Sequence, residues 1–131
     1  MKRFLVFILF ALIAIPASTF AQNNEARGTA NYLLANPERY LDKPTTIYVL
    51  MASPVPAQAP EGYVAFAAYT SGNNGKLEGG SILLYVKERN ADKFKKKYSQ
   101  GWVVNGKPVV YNIQGRFIKS VDEKGYAVRV N

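Results

Sequence analysis

From Thr45 to the C-terminus the chain is written largely in the two-residue period of a β-strand, and this alternation most constrains what it folds into. Residues Tyr63 to Thr70 place Val64, Phe66 and Ala68 on one face and Tyr63, Ala65, Ala67 and Tyr69 on the other. Four other runs read the same way. Thr45 to Val55 is rich in β-branched and apolar residues until Pro54, Pro56 and Pro60 stop it, and Ser81 to Lys87 sets Ile82, Leu84 and Val86 opposite Tyr85. Beyond the Asn105-Gly106 turn, Pro108 to Lys119 forms a fourth strand, and Tyr126 to Val130, after a turn at Asp122 to Gly125, a fifth. The stretch SGNNGKLEGG joins strands two and three as a glycine-rich, mobile hairpin loop.

Helix signals occur at two places. Thr29 suits an N-cap ahead of the apolar stripe Ala30, Leu33 and Leu34, and Asn36-Pro37 suits the cap and first position of a second short turn. Between strands three and four, Asn90 is the expected cap of a helix over Ala91 to Tyr98. Ala91, Phe94 and Tyr98 share its inward face, with Asp92 in its first turn and Lys95, Lys96 and Lys97 in its last. The predicted order is β-β-β-α-β-β.

The first 21 residues follow another logic. Lys2 and Arg3 precede an apolar run from Phe4 to Ile15, Pro16 breaks it, and small residues lead to Ala21, the pattern of a secretory signal peptide. The run is shorter than the roughly 20 residues a spanning helix needs. The expectation is an exported chain, periplasmic or secreted, with residues 1–21 removed, a flexible N-terminus over 22–28 and one domain over 29–131, without a transmembrane segment in the mature protein. The sequence contains no cysteine and no histidine. Disulfides, thiolate metal sites, histidine-based triads and the commonest transition-metal ligand are therefore outside its chemistry, and neither a cofactor nor a metal is expected. A formal net charge of +8, two units of it from Lys2 and Arg3, favours anionic partners.

Five strands with a helix between the third and fourth, the lead-in Asn36-Pro-Glu-Arg-Tyr-Leu-Asp-Lys-Pro44 and the pattern Val109-x-Tyr111-x-Ile113-x-Gly115-x-Phe117 resemble the OB-fold, as found in small exported bacterial proteins. The resemblance covers residues 29–131 and lies at the level of fold. It implies a mainly β, five-stranded Greek-key barrel with a short N-terminal helix, and a face on strands two and three of the kind that binds oligonucleotides, oligosaccharides or cations.

If Val64, Phe66, Ile82, Leu84 and Val86 fill the barrel, then Tyr63, Tyr69 and Tyr85 face outward, where tyrosines stack on sugars or bases, with Lys87 and Arg116 near enough to meet a phosphate or carboxylate. The same tyrosines also fit a structural role, pairing across strands or lying under the N-terminal helix. Other candidates read as structure. Lys93, Lys95, Lys96 and Lys97 fan across a solvated helix face, Trp102 fits the barrel core, and adjacent Asp122 and Glu123 project apart, unlike a glycosidase pair. Gly75-Lys76 lacks the remaining positions of a phosphate-binding loop. The expectation is a non-enzymatic exported domain that binds an anionic polymer or glycan of the cell envelope through Tyr63, Tyr69, Tyr85, Lys87 and Arg116. A module of a protein assembly is the alternative, and nucleic acid is not an expected partner.

Overall fold

The computed structural model describes residues 28–71, 79–99, 103–104 and 107–131, with the backbone alone described at 103–104 and 107–108. Two short helices, α1 (Ala30–Ala35) and α2 (Pro37–Tyr40), precede β1 (Pro44–Pro54), β2 (Tyr63–Thr70) and β3 (Ser81–Lys87). Helix α3 (Glu88–Tyr98) follows, then the two-residue strands β4 (Val103–Val104) and β5 (Lys107–Pro108), β6 (Tyr111–Lys119) and β7 (Tyr126–Val130). The five long strands close into a barrel in the order β1-β2-β3-β7-β6, antiparallel at every seam except the parallel β3–β7 pair. With a helix between the third and fourth barrel strands, this is an OB-fold-like Greek-key barrel.

Alternation decides the wall. Ile47, Val49, Phe66, Ala68, Ile82, Leu84, Val86, Ile113, Phe117 and Val128 point inward and pack as one buried cluster, as the period of each strand requires. The ends are closed by helices. At one end Ala30 and Leu33 of α1 enter the cluster, and the helix is tied down through Asn31, whose backbone N–H donates to the Gly79 carbonyl at 2.8 Å. Thr29 caps α1 as expected, accepting from the Tyr32 N–H at 3.2 Å. At the other end α3 inserts Phe94 and Tyr98, in a chain of ring contacts running from Phe66 through Phe94 (5.0 Å) and Tyr98 (4.4 Å) to Tyr111 (4.9 Å).

Several boundaries move from their expected places. Helix α3 begins at Glu88, directly after β3, so Asn90 lies inside its first turn. The side-chain cap is replaced by the loop before β2, where the Gly62 carbonyl accepts from the Glu88 N–H at 3.0 Å. Pro108 does not begin the fourth barrel strand. It pairs with Val103 in a separate two-residue hairpin, and the barrel strand starts at Tyr111, where β1 supplies a partner at Val49. Gly28 is already buried, its carbonyl accepting from the Tyr48 N–H at 2.9 Å, so it belongs to the domain that was expected to begin at Thr29. The expected signal peptide at 1–21, residues 22–27, the glycine-rich loop at 72–78 and Trp102 lie outside the described residues. No helix among the described residues is long and apolar enough to cross a membrane.

Candidate functional site

The outer face of β2, β3, β7 and β6 carries the residues that the alternation turns away from the core. Strand register arranges them in rows. One row runs Ala67, Leu83, Ala127 and Ile118; the next runs Ala65, Tyr85, Arg129 and Arg116; Tyr63 pairs with Lys87 and Tyr69 with Ser81 beyond them.

Tyr85 departs from its expected role. It does face away from the barrel interior, but it is only 1% exposed, buried with Ala65 and Ala127 beneath Val55 and Ala59 of the proline-rich segment that links β1 to β2. That segment is held down at both ends, the Val55 N–H donating to the Ala65 carbonyl at 3.1 Å and the Tyr63 N–H to the Pro60 carbonyl at 3.0 Å. The prolines fold the connection back over the sheet, so Tyr85 offers no stacking surface. Its hydroxyl instead accepts from the Val121 N–H at 3.0 Å. Tyr63 is half-buried against the same cluster, and Tyr69 is 40% exposed.

Beside the covered patch the surface opens. A cleft of about 440 Å³ is lined by Ala57 and Gln58 of the β1–β2 connection, Leu83 and Tyr85 of β3, and Ser120 to Asp122 of the β6–β7 turn. A second cleft of about 360 Å³ shares Leu83, Lys124, Gly125 and Tyr126 with it and continues to Ala67, Ser81 and Leu34 of α1. The two form one groove. Leu34 and Val121, 40% and 44% exposed, stand along it, and neither figured among the expected site residues.

The turn that walls this groove is braced from within. The Ser120 hydroxyl donates to Asp122 Oδ1 at 2.6 Å and accepts from the Gly125 N–H at 3.0 Å, while the Lys124 N–H donates to the same carboxylate oxygen at 3.0 Å. The Ser120 hydroxyl, and next the Lys124 amide, hold the Asp122 carboxyl below its ordinary pKa. Ser120 and Asp122 are thus committed to each other and to the backbone, which makes them a turn brace. At the rim, Tyr126 stacks on Phe117 (5.3 Å, 9° between ring planes) and its hydroxyl donates to Glu38 Oε1 at 3.1 Å, which raises the tyrosine pKa.

Charge gathers beyond the groove, with Arg129 and Arg116 on the adjoining row and Lys87 on the next. Lys87 and Arg116 are half-buried and Arg129 is exposed. Arg116 donates from its guanidinium to the Asp42 carbonyl, whereas the side chains of Lys87 and Arg129 make no ion pair among the described residues. Of the five expected site residues, the fold brings Lys87 and Tyr63 into one cross-strand pair and sets Arg116 two strands from Tyr85. Tyr69 sits at the opposite end of the face. Arg129 was not among the expected residues; its place opposite to Val128 and Val130 in the two-residue period was the available signal.

A separate cleft of about 450 Å³ lies on the β1 side, lined by Tyr32, Leu33, Arg39, Tyr40 and Tyr48 with Thr45 and Thr46. Among the described residues no cluster of carboxylates has the make-up of a metal site.

Comparison with protein-family models, curated proteins and solved structures returns no match. The site therefore rests on its own geometry.

Proposed function

We propose that this chain is a non-enzymatic, exported binding module that holds an anionic, carbohydrate-like ligand of the cell envelope along the outer face of β3, β7 and β6. The observation that carries this reading is a groove over Leu83 with Lys124 in its lining, Arg129 and Arg116 on the neighbouring register row and Lys87 on the row beyond. The groove supplies apolar contact through Leu83, Val121 and Tyr126, and polar groups at Gln58, Ser81 and Lys124, a mixture suited to sugar rings and their hydroxyls. Export rests on the N-terminal pattern of charge, apolar run and small residues. Bacterial origin, suggested by the resemblance to small exported OB-fold proteins, belongs to this proposal too.

Titration of the mature chain with an acidic glycan, followed by two-dimensional NMR at about 0.15 M salt, tests it, since attraction that is only long-range is screened over about 8 Å there. Saturable shifts at Leu83, Val121, Tyr126 and Arg129 are the expected result. Shifts confined to Lys93, Lys95, Lys96 and Lys97 that disappear with salt would overturn it.

A second reading, a module that docks a partner protein, has its own observation in the exposure of Leu34 and Val121 along the groove. Retention of a protein partner that is lost on Val121→Asp, with no glycan response, would place it first.

A further inference from the structure

The five barrel strands contain no aspartate or glutamate, yet β6 and β7 set two arginines directly opposite each other, Arg116 and Arg129. Residues facing each other across an antiparallel pair have Cβ atoms about 4.5–5.5 Å apart, and like charges at that spacing oppose folding. Their neighbours in register do not neutralise them. Arg129 is flanked by Tyr85 on β3, Arg116 by Pro44 on β1, and Lys87, two residues beyond Tyr85, adds a third positive charge.

Arg116 is also aimed. Its guanidinium donates to the carbonyl of Asp42, and Asp42 holds a left-handed backbone conformation (φ 61°), unusual for a residue with a side chain. The Asp42 N–H donates to the Phe117 carbonyl at 2.7 Å, and the Lys43 carbonyl accepts from the Phe117 N–H at 3.1 Å, which locks this turn to the residue following Arg116. That contact engages one N–H group of the guanidinium, and the register sets Arg129 across from Arg116 on the same outer face, one strand away. Gly115 brings the two strands close at the same point, since a Cβ there would run into the Arg129 carbonyl and the Val128 side chain.

We infer that Arg116 and Arg129 form an oxyanion site, taking a phosphate, sulfate or carboxylate group between their two guanidinium forks. Planar forks with several N–H donors match the oxygens of such a group, and a bound anion removes the repulsion that the bare pair carries. Such a group is the charged part of the ligand proposed above, so the site rests on that reading, but inorganic ions alone suffice to test it.

The test is titration of the chain with sodium phosphate, sodium sulfate and sodium acetate at constant ionic strength, following the side-chain Nε resonances of both arginines. Saturable shifts at both residues are expected, with the apparent Kd weakened at least tenfold in Arg129→Gln and to a lesser degree in Arg129→Lys, which keeps the charge but loses the fork. The arms separate the sources. Preference for phosphate or sulfate indicates an ester-bearing ligand, and preference for acetate a uronate or acidic side chain. Linear, non-saturating shifts, or equal response in Arg129→Gln, would overturn the site. Oxyanion binding without any response to acidic glycan leaves the site standing and removes the glycan reading, and glycan binding that survives Arg129→Gln does the reverse.

Discussion

The hydroxyl of Tyr85 accepts a hydrogen bond from the backbone N–H of Val121 at 3.0 Å, joining the middle of β3 to the turn between β6 and β7. Both residues line the 440 Å³ cleft, so this bond sets the position of one wall against its floor. Tyr85→Phe removes the acceptor and keeps the ring. It is expected to cost about 1 kcal/mol and to broaden the Val121 to Lys124 amides. Tyr85→Ala also empties a fully buried site and is expected to cost about 3–5 kcal/mol, measured by chemical denaturation. A ligand-face tyrosine would have tolerated that change; Tyr69, which is exposed, is expected to do so.

The Asp122 brace makes the same turn sensitive to acid. Because its carboxyl titrates below the ordinary aspartate value, the ionised form is the one the folded turn prefers. Its stabilisation is present above the unfolded pKa, near 3.9, and is lost as pH falls through the lower folded value. The Lys124 amide shift is expected to titrate in that acid range and to become insensitive there in Asp122→Asn.

Gly115→Ala is expected to destabilise the barrel by about 1–3 kcal/mol. The added Cβ meets backbone, the Arg129 carbonyl, which cannot swing aside as a flexible side chain would. Denaturation midpoints of the variant check this, and an unchanged midpoint would contradict the close approach of β6 and β7.

Repulsion between Arg116 and Arg129 has a salt signature. In chloride at low ionic strength Arg129→Gln is expected to be more stable than the parent by about 0.2–1 kcal/mol. The difference should shrink as salt rises, because exposed charges are screened. Parallel unfolding curves at about 0.01 M and 0.5 M sodium chloride read it directly.

Val121→Ser and Leu34→Ser alter exposed side chains and are expected to change stability by no more than about 0.5 kcal/mol. If the groove receives a ligand, both should weaken its binding. Isothermal titration against the acidic glycan, or against a retained protein partner, measures the effect.

Much of the fold was legible along the chain because its signals are local. The periods of Tyr63–Thr70, Ser81–Lys87 and Tyr126–Val130 reproduce β2, β3 and β7 to the residue, and the Thr29 cap forms as its side chain suggests. Less legible were features whose partners are distant. Helix α3 starts ahead of Asn90 because Gly62, far back in the chain, satisfies the Glu88 amide, and Tyr111 starts β6 because β1 ends its pairing at Val49.

The candidate site divides along the same line. Alternation by itself determined that Tyr63, Tyr69, Tyr85, Lys87 and Arg116 leave the barrel interior, since successive side chains of a strand must take opposite faces. Composition by itself removed cysteine and histidine chemistry. Only the tertiary structure decided what lies over each outward side chain. Folding of the proline segment buried Tyr85, closure of β6 on β7 set Arg116 beside Arg129, and the turn at Asp42 aimed one of them. Register between strands remote in sequence depends on the packing of the whole barrel, and a two-residue period carries no record of it.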